Sequence, residues 1–339
     1  MSDGTTKWLC VDSSFIAYQA RFTMGKLSHE DQAIGIIFGF LTRVLALAET
    51  FGSNHFLFCF DSDSSKGVRR RDWPDYKRKR QTDRTKEELA DIISMNKQLD
   101  LLRTKILPAM GFNNIYRQEG FESDDIIGHL ASYPLARAGE ISHLYIVSND
   151  GDLAQLLIPR ISMYDPSHKK ETTHVTFEKE KGYPVQLIPS LKALAGCDSD
   201  NLAGIPGVGE KTALKILSKD CPPELLAKAK KHKKENQLRL KLVKLPHEEF
   251  DGSQIEVRRP GFTEAHEKAF KGVCKQYALQ SYLCEPLASR WNRLFAGVFE
   301  DARPARVIAP LGSISLGKDR KTSPVATRKT EVEMDGLFF

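Results

Sequence analysis

The stretch Ile141-Ser-His-Leu-Tyr-Ile-Val-Ser-Asn-Asp-Gly-Asp-Leu153 decides how the rest of the chain is read. Leu144 to Val147 is a short apolar run, as a buried strand shows. It ends in Ser148-Asn149, then Asp150-Gly-Asp152, then a helix-like Leu153-Ala-Gln-Leu-Leu157. Open α/β sheets place ligands at the carboxyl ends of their strands, which is where these two carboxylates fall. The single Gly between them lets the chain turn sharply and aim both at one point. A glycine turn with an aspartate helix cap explains one such triplet equally well. The balance shifts because three other segments repeat the arrangement.

Working outward, Lys7 to Val11 predicts a strand ending in Asp12, with Ser13-Ser14 opening a helix. Ala33 to Thr50 carries long helical periodicity, and His55 to Phe60 is a second apolar strand ending in Asp61. Periodicity vanishes from Ser62 to Arg84, which contains Arg69-Arg-Arg-Asp-Trp-Pro-Asp-Tyr-Lys-Arg-Lys-Arg80. A helix is expected from Lys86 to Met110, a brief strand over Asn113 to Tyr116, and a helix after Gly120-Phe-Glu-Ser-Asp-Asp125. Ile161 to Tyr164 is a further strand, and Ser167 to Thr173 a loop or hairpin. Alternating strands and helices predict a mostly parallel sheet with helices on both faces. The character changes near residue 183. Pro184 to Ala195 and Lys211 to Ser218 read as helices around a Gly-rich turn, and basic Leu225 to Leu245 as an exposed helix pair. Thr263 to Phe295 is helical. Expected divisions are a catalytic domain at 1–183, a helical region at 184–300 and a disordered tail at 301–339, poor in residues to bury.

The chain has 339 residues, 41% of them hydrophobic, which suits one large α/β domain or two smaller ones. No apolar run is long enough to span a membrane. The amino terminus lacks the features of a signal peptide, and the six Cys form no Cys-x-x-Cys pair, so reduced thiols and a cytoplasmic setting are expected. The net charge is +6, with basic residues crowded at 66–80, 228–244 and 303–329. A basic protein with a focused acidic pocket suits a polyanion held around metal ions.

Four segments deliver acids: Asp12; Asp61; Glu122, Asp124 and Asp125; Asp150 and Asp152. A helix cap accounts for one of the middle three, not for all. At such density carboxylates repel and some take up protons, and hard divalent cations offset the repulsion. Oxygen-only ligation favours magnesium or manganese over zinc. Two such ions roughly 4 Å apart activate an attacking water and stabilise the leaving oxygen of a phosphodiester. The basic stretch directly follows the strand ending in Asp61, so its cations are expected to hang over the pocket, with Trp73 or Tyr76 free to stack on a base. Gly204-Ile-Pro-Gly-Val-Gly-Glu-Lys-Thr-Ala213 fits a helix–hairpin–helix, whose turn amides grip duplex phosphates without reading bases.

With these residues in view, the chain resembles the 5′-nucleases of the flap-endonuclease superfamily, nearest to the bacteriophage type that removes RNA primers. It also resembles the 5′-nuclease domain of bacterial DNA polymerase I. The matching pieces are Cys-Val-Asp12, Cys-Phe-Asp61, Arg69 with Pro-Asp-Tyr-Lys-Arg-Lys-Arg80, Glu122-Ser-Asp-Asp125, Ser-Asn-Asp150-Gly-Asp152 and the glycine turn. The resemblance implies a PIN-like α/β domain with a helical arch over about 62–90 and two magnesium ions, replaceable by manganese, held by the acids. It implies that Lys77 and Arg80 contact the scissile phosphate. Arg69, Tyr76, Gly204, Gly207, Val208, Gly209, Lys211 and Thr212 are expected to meet nucleic acid, with a potassium ion at the helix–hairpin–helix. One departure stands out: the family's Gly-Asp-x-x-Asp-Asn reads Gly196-Cys197-Asp198-Ser-Asp200-Asn here. Asp200 matches the second Asp, and Asp198 and Asp200 are expected to complete the second metal site.

Met334-Asp-Gly-Leu-Phe-Phe339 is similar to short terminal motifs that dock in sliding clamps, through Leu337, Phe338 and Phe339. A sliding clamp or a single-strand-binding protein is the expected partner. The expected substrates are branched or nicked duplex DNA and RNA–DNA hybrids, cut by a monomer acting in the cytoplasm, that of the host if the source is viral. The expected activity is 5′→3′ exonuclease and flap endonuclease. The competing readings are a PIN-type ribonuclease, which would lack the arch and the glycine turn, and a structure-specific DNA-binding protein without turnover.

Overall fold

The computed structural model describes residues 6–79, 84–132 and 141–299. Its frame is a six-stranded sheet: β1 (Thr6–Asp12), β2 (Phe56–Phe60), β3 (Ile115–Arg117), β4 (Ile141–Val147), β5 (Ile161–Asp165) and β6 (Lys170–Thr172). The spatial order is β3-β2-β1-β4-β5-β6. All pairings are parallel except β5 with β6, which form an antiparallel hairpin in the polar run after Tyr164.

Side-chain alternation assigns the two faces. Leu9 and Val11 of β1 point into one core with Phe58, Tyr145 and Tyr164, under α1 (Ser13–Met24) and α2 (Gly35–Phe51). Trp8 and Cys10 point into the other with Leu57, Cys59, Leu144 and Ile146, under Ile126, Ile127 and Leu130. Those last three belong to α5 (Ser123–Ser132). A strand covered on both faces has no polar side to show, hence the near-continuous apolar runs.

Several boundaries move. The long helix expected to reach Met110 is α4 (Lys86–Leu101), started by a Thr85–Glu88 capping box, and it runs on through a wider π-type turn at Leu102–Ile106. The helix-like run after Asp152 is a 3-10 turn, Gly151–Leu156. The lysine-rich segment forms the expected helix pair, α8 (Pro223–Lys231) and α9 (Lys233–Val243), but it is not simply exposed. Arg239 is buried, its Nε donating to Ala193 O at 2.6 Å and its Nη2 to Asn236 Oδ1 at 2.6 Å. It ties α9 to α6 (Ile188–Ala195), where one buried cation serves three acceptors including Ala203 O. The last helices, α10 (Glu264–Gln276) and α11 (Leu287–Ala296), do not pack with the glycine-turn helices. Phe270, Tyr282, Trp291 and Leu294 join the first core of the sheet, and Tyr282 Oη donates to Phe38 O at 2.6 Å. The 184–300 segment is therefore split between two packing partners, because the apolar face of α11 matches α2 better than a lysine-rich pair.

One buried ion pair fastens these layers. Arg69, on the short helix α3 (Gly67–Asp72), reaches Asp125 with two bonds of 2.6 and 2.8 Å. Its Nε donates to Leu242 O at 2.9 Å, and His247 N donates to Asp125 at 2.8 Å. Removing one member leaves the other charged and dry, at about 3–5 kcal/mol. Arg69→Met should therefore destabilise by about 3–5 kcal/mol in urea unfolding. Asp125→Asn should do the same, and the double variant should cost clearly less than the sum. Strictly additive losses would mean that the pair does not act as a unit.

Candidate active site

Adjacent parallel strands end on the same edge of the sheet, about 4.8 Å apart. Because β2, β1 and β4 are neighbours, the acids at their carboxyl ends, Asp61, Asp12 and Asp150, are delivered to one place. The start of α5 adds Glu122 and Asp124. These five acids line a single cavity of about 750 Å³, with Lys77, Lys66, Arg84, Arg103 and Arg117 also in its wall. The structure thus brings these five of the expected acids together. Asp150 also borders a second cavity of about 390 Å³, shared with Asp152, Lys192, Ser199 and Glu210.

Each acid is set by local chemistry. Asp12 caps α1, its Oδ1 accepting from Phe15 N at 3.1 Å, and its Oδ2 accepts from Ser148 Oγ at 3.1 Å. Asp61 accepts from Ser14 Oγ at 2.6 Å and from Ser123 N at 2.8 Å. Asp150 caps its own turn by accepting from Asp152 N at 2.9 Å. Ser14, Ser123 and Ser148 were missed by sequence reasoning, although each stands within two residues of an acid. They orient carboxylates but carry no charge, so they relieve little of the repulsion. Burial, then Asp61 and Asp150, push Asp12 up to about 7. Burial, then Asp150 and Asp12, push Asp124 well above the ordinary carboxylate range.

Glu122 behaves oppositely. Burial would raise it, but Lys77 and Arg69 hold it below its usual value. Lys77 Nζ donates to Oε1 at 2.7 Å and Tyr76 Oη to Oε2 at 2.9 Å. Lys77 is itself buried and stands in the left-handed region, φ 50°, where a side chain is strained. The Asp200 carbonyl fixes this by accepting the Lys77 amide at 2.9 Å. Strain of this kind collects where function needs a particular geometry.

Several expectations need correction. Asp125 lies outside both cavities and is wholly committed to Arg69 and His247 N, so it holds the wall rather than the floor. Arg69 is 1% exposed and Tyr76 3%, so neither meets nucleic acid in this conformation. Tyr76 packs with Leu202, Leu242 and Val243, and half-buried Trp73 donates its Nε1 to Asn201 O at 3.1 Å. The stretch from Arg69 to Lys77 is thus folded down onto Glu122, not raised as a free lid; the buried acids draw their cations inward. Arg80, Leu337, Phe338 and Phe339 lie outside the described residues.

The second group is looser. Asp152 pairs with Lys192, whose Nζ also stands 3.7 Å from Cys197 Sγ. Asp200 is buried, 3.9 Å from Lys77 Nζ, and accepts from Cys197 Sγ at 3.4 Å, while Asp198 is exposed. In the glycine turn, α6 leads through a small hairpin to α7 (Glu210–Ile216). Gly204 is needed for close packing: a Cβ there would lie 2.2 Å from Ala195 C. Val208 is buried and its amide is used by Ile205 O at 2.9 Å, which leaves it out of phosphate contact. Gly207, Gly209 and Lys211 are exposed and Thr212 half-buried.

Crowded, mutually repelling carboxylates, Asp12 buried and Asp61 exposed, without nitrogen or sulfur donors fit hard divalent cations. Among the described residues, no three His, Cys, Asp or Glu side chains are closed around one point as a cage. The acids instead line an open basin. Magnesium keeps several of its waters, so it suits ligands that reach it partly through water.

A family profile described as the 5′-3′ exonuclease N-terminal resolvase-like domain matches residues 7–182. The 5′-3′ exonuclease of Buchnera aphidicola subsp. Schizaphis graminum is 34% identical over 214 residues, covering 62% of this chain and 69% of that protein. DNA polymerase I of Bacillus caldotenax is 34% identical over 221 residues; the match covers 62% of this chain and spans only 23% of that longer protein. Among solved structures, the T5 5′-exonuclease with bound zinc superposes with a TM-score of 0.58 at 18% identity, over 86% of this chain and 98% of that one. A bacteriophage T5 flap endonuclease with DNA and metal ions gives 0.57 at 18% identity, again over 86% and 98%. At that identity the likeness is one of fold.

A raised carboxylate binds its proton more tightly folded than unfolded. Its contribution is therefore present at low pH and lost as pH rises from about 4 to about 7. In excess chelator, urea unfolding should show stability falling by roughly 2–4 kcal/mol between pH 5 and 8. Asp12→Asn should flatten this, and added magnesium should restore stability at pH 8 in the parent protein. A parent protein whose stability rises over that range would contradict the crowding of these acids.

Proposed function

The chain belongs to the 5′-3′ exonuclease family, and on that premise we propose that it is a structure-specific 5′→3′ exonuclease and flap endonuclease. Its proposed substrates are nicked or flapped duplexes and RNA–DNA hybrids. The observation that carries this reading is the convergence of Asp12, Asp61, Glu122, Asp124 and Asp150 with a buried lysine in one cavity. DNA complexes of a protein with the same fold agree with a nucleic-acid substrate.

Asp12, Asp61, Asp124 and Asp150 are the residues proposed to hold one divalent ion, magnesium or manganese. Asp152 and Asp200, with Asp198 beside them, are proposed for a second, where Cys197 stands in place of the family's Asp. When bound, these ions supply Lewis-acid activation of the attacking water and stabilisation of the leaving oxygen. The protein's own groups do the rest. Ser14, Ser123 and Ser148 fix the directions of Asp61 and Asp12. Lys77 is held beside the acids before substrate arrives, so a cation already stands close to the proposed place of the scissile phosphate. In the free protein its charge is spent on Glu122; an entering phosphodiester competes for it. The resulting ends are a 5′-phosphate and a 3′-hydroxyl. The exposed Gly207, Gly209 and Lys211 are proposed to meet the duplex backbone, with potassium as a candidate ion there. The carboxyl-terminal Leu337, Phe338 and Phe339 are proposed to dock in a sliding clamp.

The direct test is product mapping on a labelled 5′-flap and an RNA–DNA hybrid across a magnesium titration. Cuts at the flap junction that cease in chelator are expected; full hydrolysis in chelator, or binding without cuts, would sink the reading. Lys77→Ala should slow single-turnover cleavage about 100-fold or more, with DNA affinity changed far less. Equal losses in both would reduce Lys77 to a binding residue. Deleting Glu333 to Phe339 should abolish clamp binding and leave unstimulated cleavage intact; unchanged clamp binding would refute the docking role.

A further inference from the structure

The cations in the wall of the main cavity are not equivalent. Lys77 is bound to Glu122 at 2.7 Å, Arg117 to Asp63 at 2.7 Å, and Arg103 to Asp100 at 2.5 Å. Lys66 and Arg84 line the same wall, and neither makes a side-chain hydrogen bond or ion pair with any described residue; of the two, Lys66 has cationic neighbours pressing on it. It lies at the start of α3, in the loop that leaves β2 through Asp61, and its side chain is half-buried. The nearby acids are already engaged: Glu122 by Lys77 and Tyr76, and Asp61 by Ser14 and Ser123. Lys77 and Arg70 stand close by as like charges.

A half-buried ammonium with no fixed acceptor and two cationic neighbours is an unfavourable arrangement for the free protein. Burial, with Lys77 and Arg70, lowers its proton affinity against the opposing pull of Glu122 and Asp61. Packing alone gives no reason to keep a lysine there, since a Met of similar length would fill the space without that cost. Such exceptions collect at sites completed by a ligand. The ligand must be anionic and must come within reach of a wall that also carries Ser62 and Ser65.

Resting on the nuclease reading above, we infer that Lys66 is a phosphate-contacting residue: its ammonium receives a backbone phosphate flanking the scissile one. Lys77 and Lys66 then divide the work. Lys77 is pre-paired and sits over the reacting group, whereas Lys66, unpaired among the described residues, fixes the neighbouring phosphate, and with it the register of the strand.

The test compares the parent protein with Lys66→Met and Lys66→Arg on a 5′-flap DNA. Binding is measured in excess chelator across a salt series, and cleavage in magnesium. Lys66→Met should weaken binding about tenfold and lower the slope of log affinity against log salt by about one. Lys66→Arg should recover most of both. Strands carrying one neutral methylphosphonate are then bound in turn. At the contacted phosphate the Met variant should lose nothing further, while the parent protein drops to its level. The Met variant should be at least as stable to urea as the parent. Unchanged affinity and slope, an equal loss at every methylphosphonate position, or weakened binding together with a lower unfolding midpoint would each overturn the inference. Failure of the parent protein to cleave would instead refute the nuclease reading, and the binding arm would still decide Lys66.

Discussion

Carboxylates brought together at one edge of a sheet, some of them buried, repel one another, and the rest of this structure is arranged around that repulsion. Three parallel strands in sequence across the sheet leave no choice about where their terminal acids go. The fold answers in two ways. Part of the acidic charge is neutralised internally, Asp125 by Arg69 and Glu122 by Lys77. The remainder is left in tension: Asp12 receives only hydroxyl and amide donors, and burial with neighbouring carboxylates pushes both Asp12 and Asp124 up. Internal compensation gives the wall its rigidity, and the uncompensated part gives the basin its appetite for divalent cations.

This division explains why residues adjacent in sequence take different roles. Asp124 and Asp125 are neighbours at the start of one helix, yet successive helical positions point about 100° apart. One faces the basin, and the other faces α3 and the loop carrying His247. Arg69 and Lys77, eight positions apart, both turn inward because buried carboxylates attract them more strongly than water holds them at this depth. A stretch that reads as a solvated charge run becomes a bracket.

The glycine-turn helices and the closing helices answer to different needs. The first pack around α6 and α9, with Arg239 stapling backbone carbonyls, and they bring Asp200 against Lys77. The last two cover the far face of the sheet with Trp291 and Phe270 and never approach the basin. One supports the site and the other supports the sheet that positions it.

Apolar periodicity in the sequence was enough to place the strands, since a strand buried on both faces must be apolar throughout and a loop must not be. Acids at the ends of those runs, with the family's motifs, were enough to bring Asp12, Asp61, Glu122, Asp124 and Asp150 to one basin. What the sequence could not carry was direction. Whether Asp125 or Asp124 faces the basin, whether Tyr76 is offered to a base or spent on Glu122, and which of Lys66 and Lys77 is already paired depend on groups far away in the chain. Arg69 and Leu242 are 173 positions apart, and Lys77 and Glu122 are 45. Pairings of that span have no local signature, because they are selected by the desolvation of charge inside the assembled fold, and that energy exists only once the layers have closed.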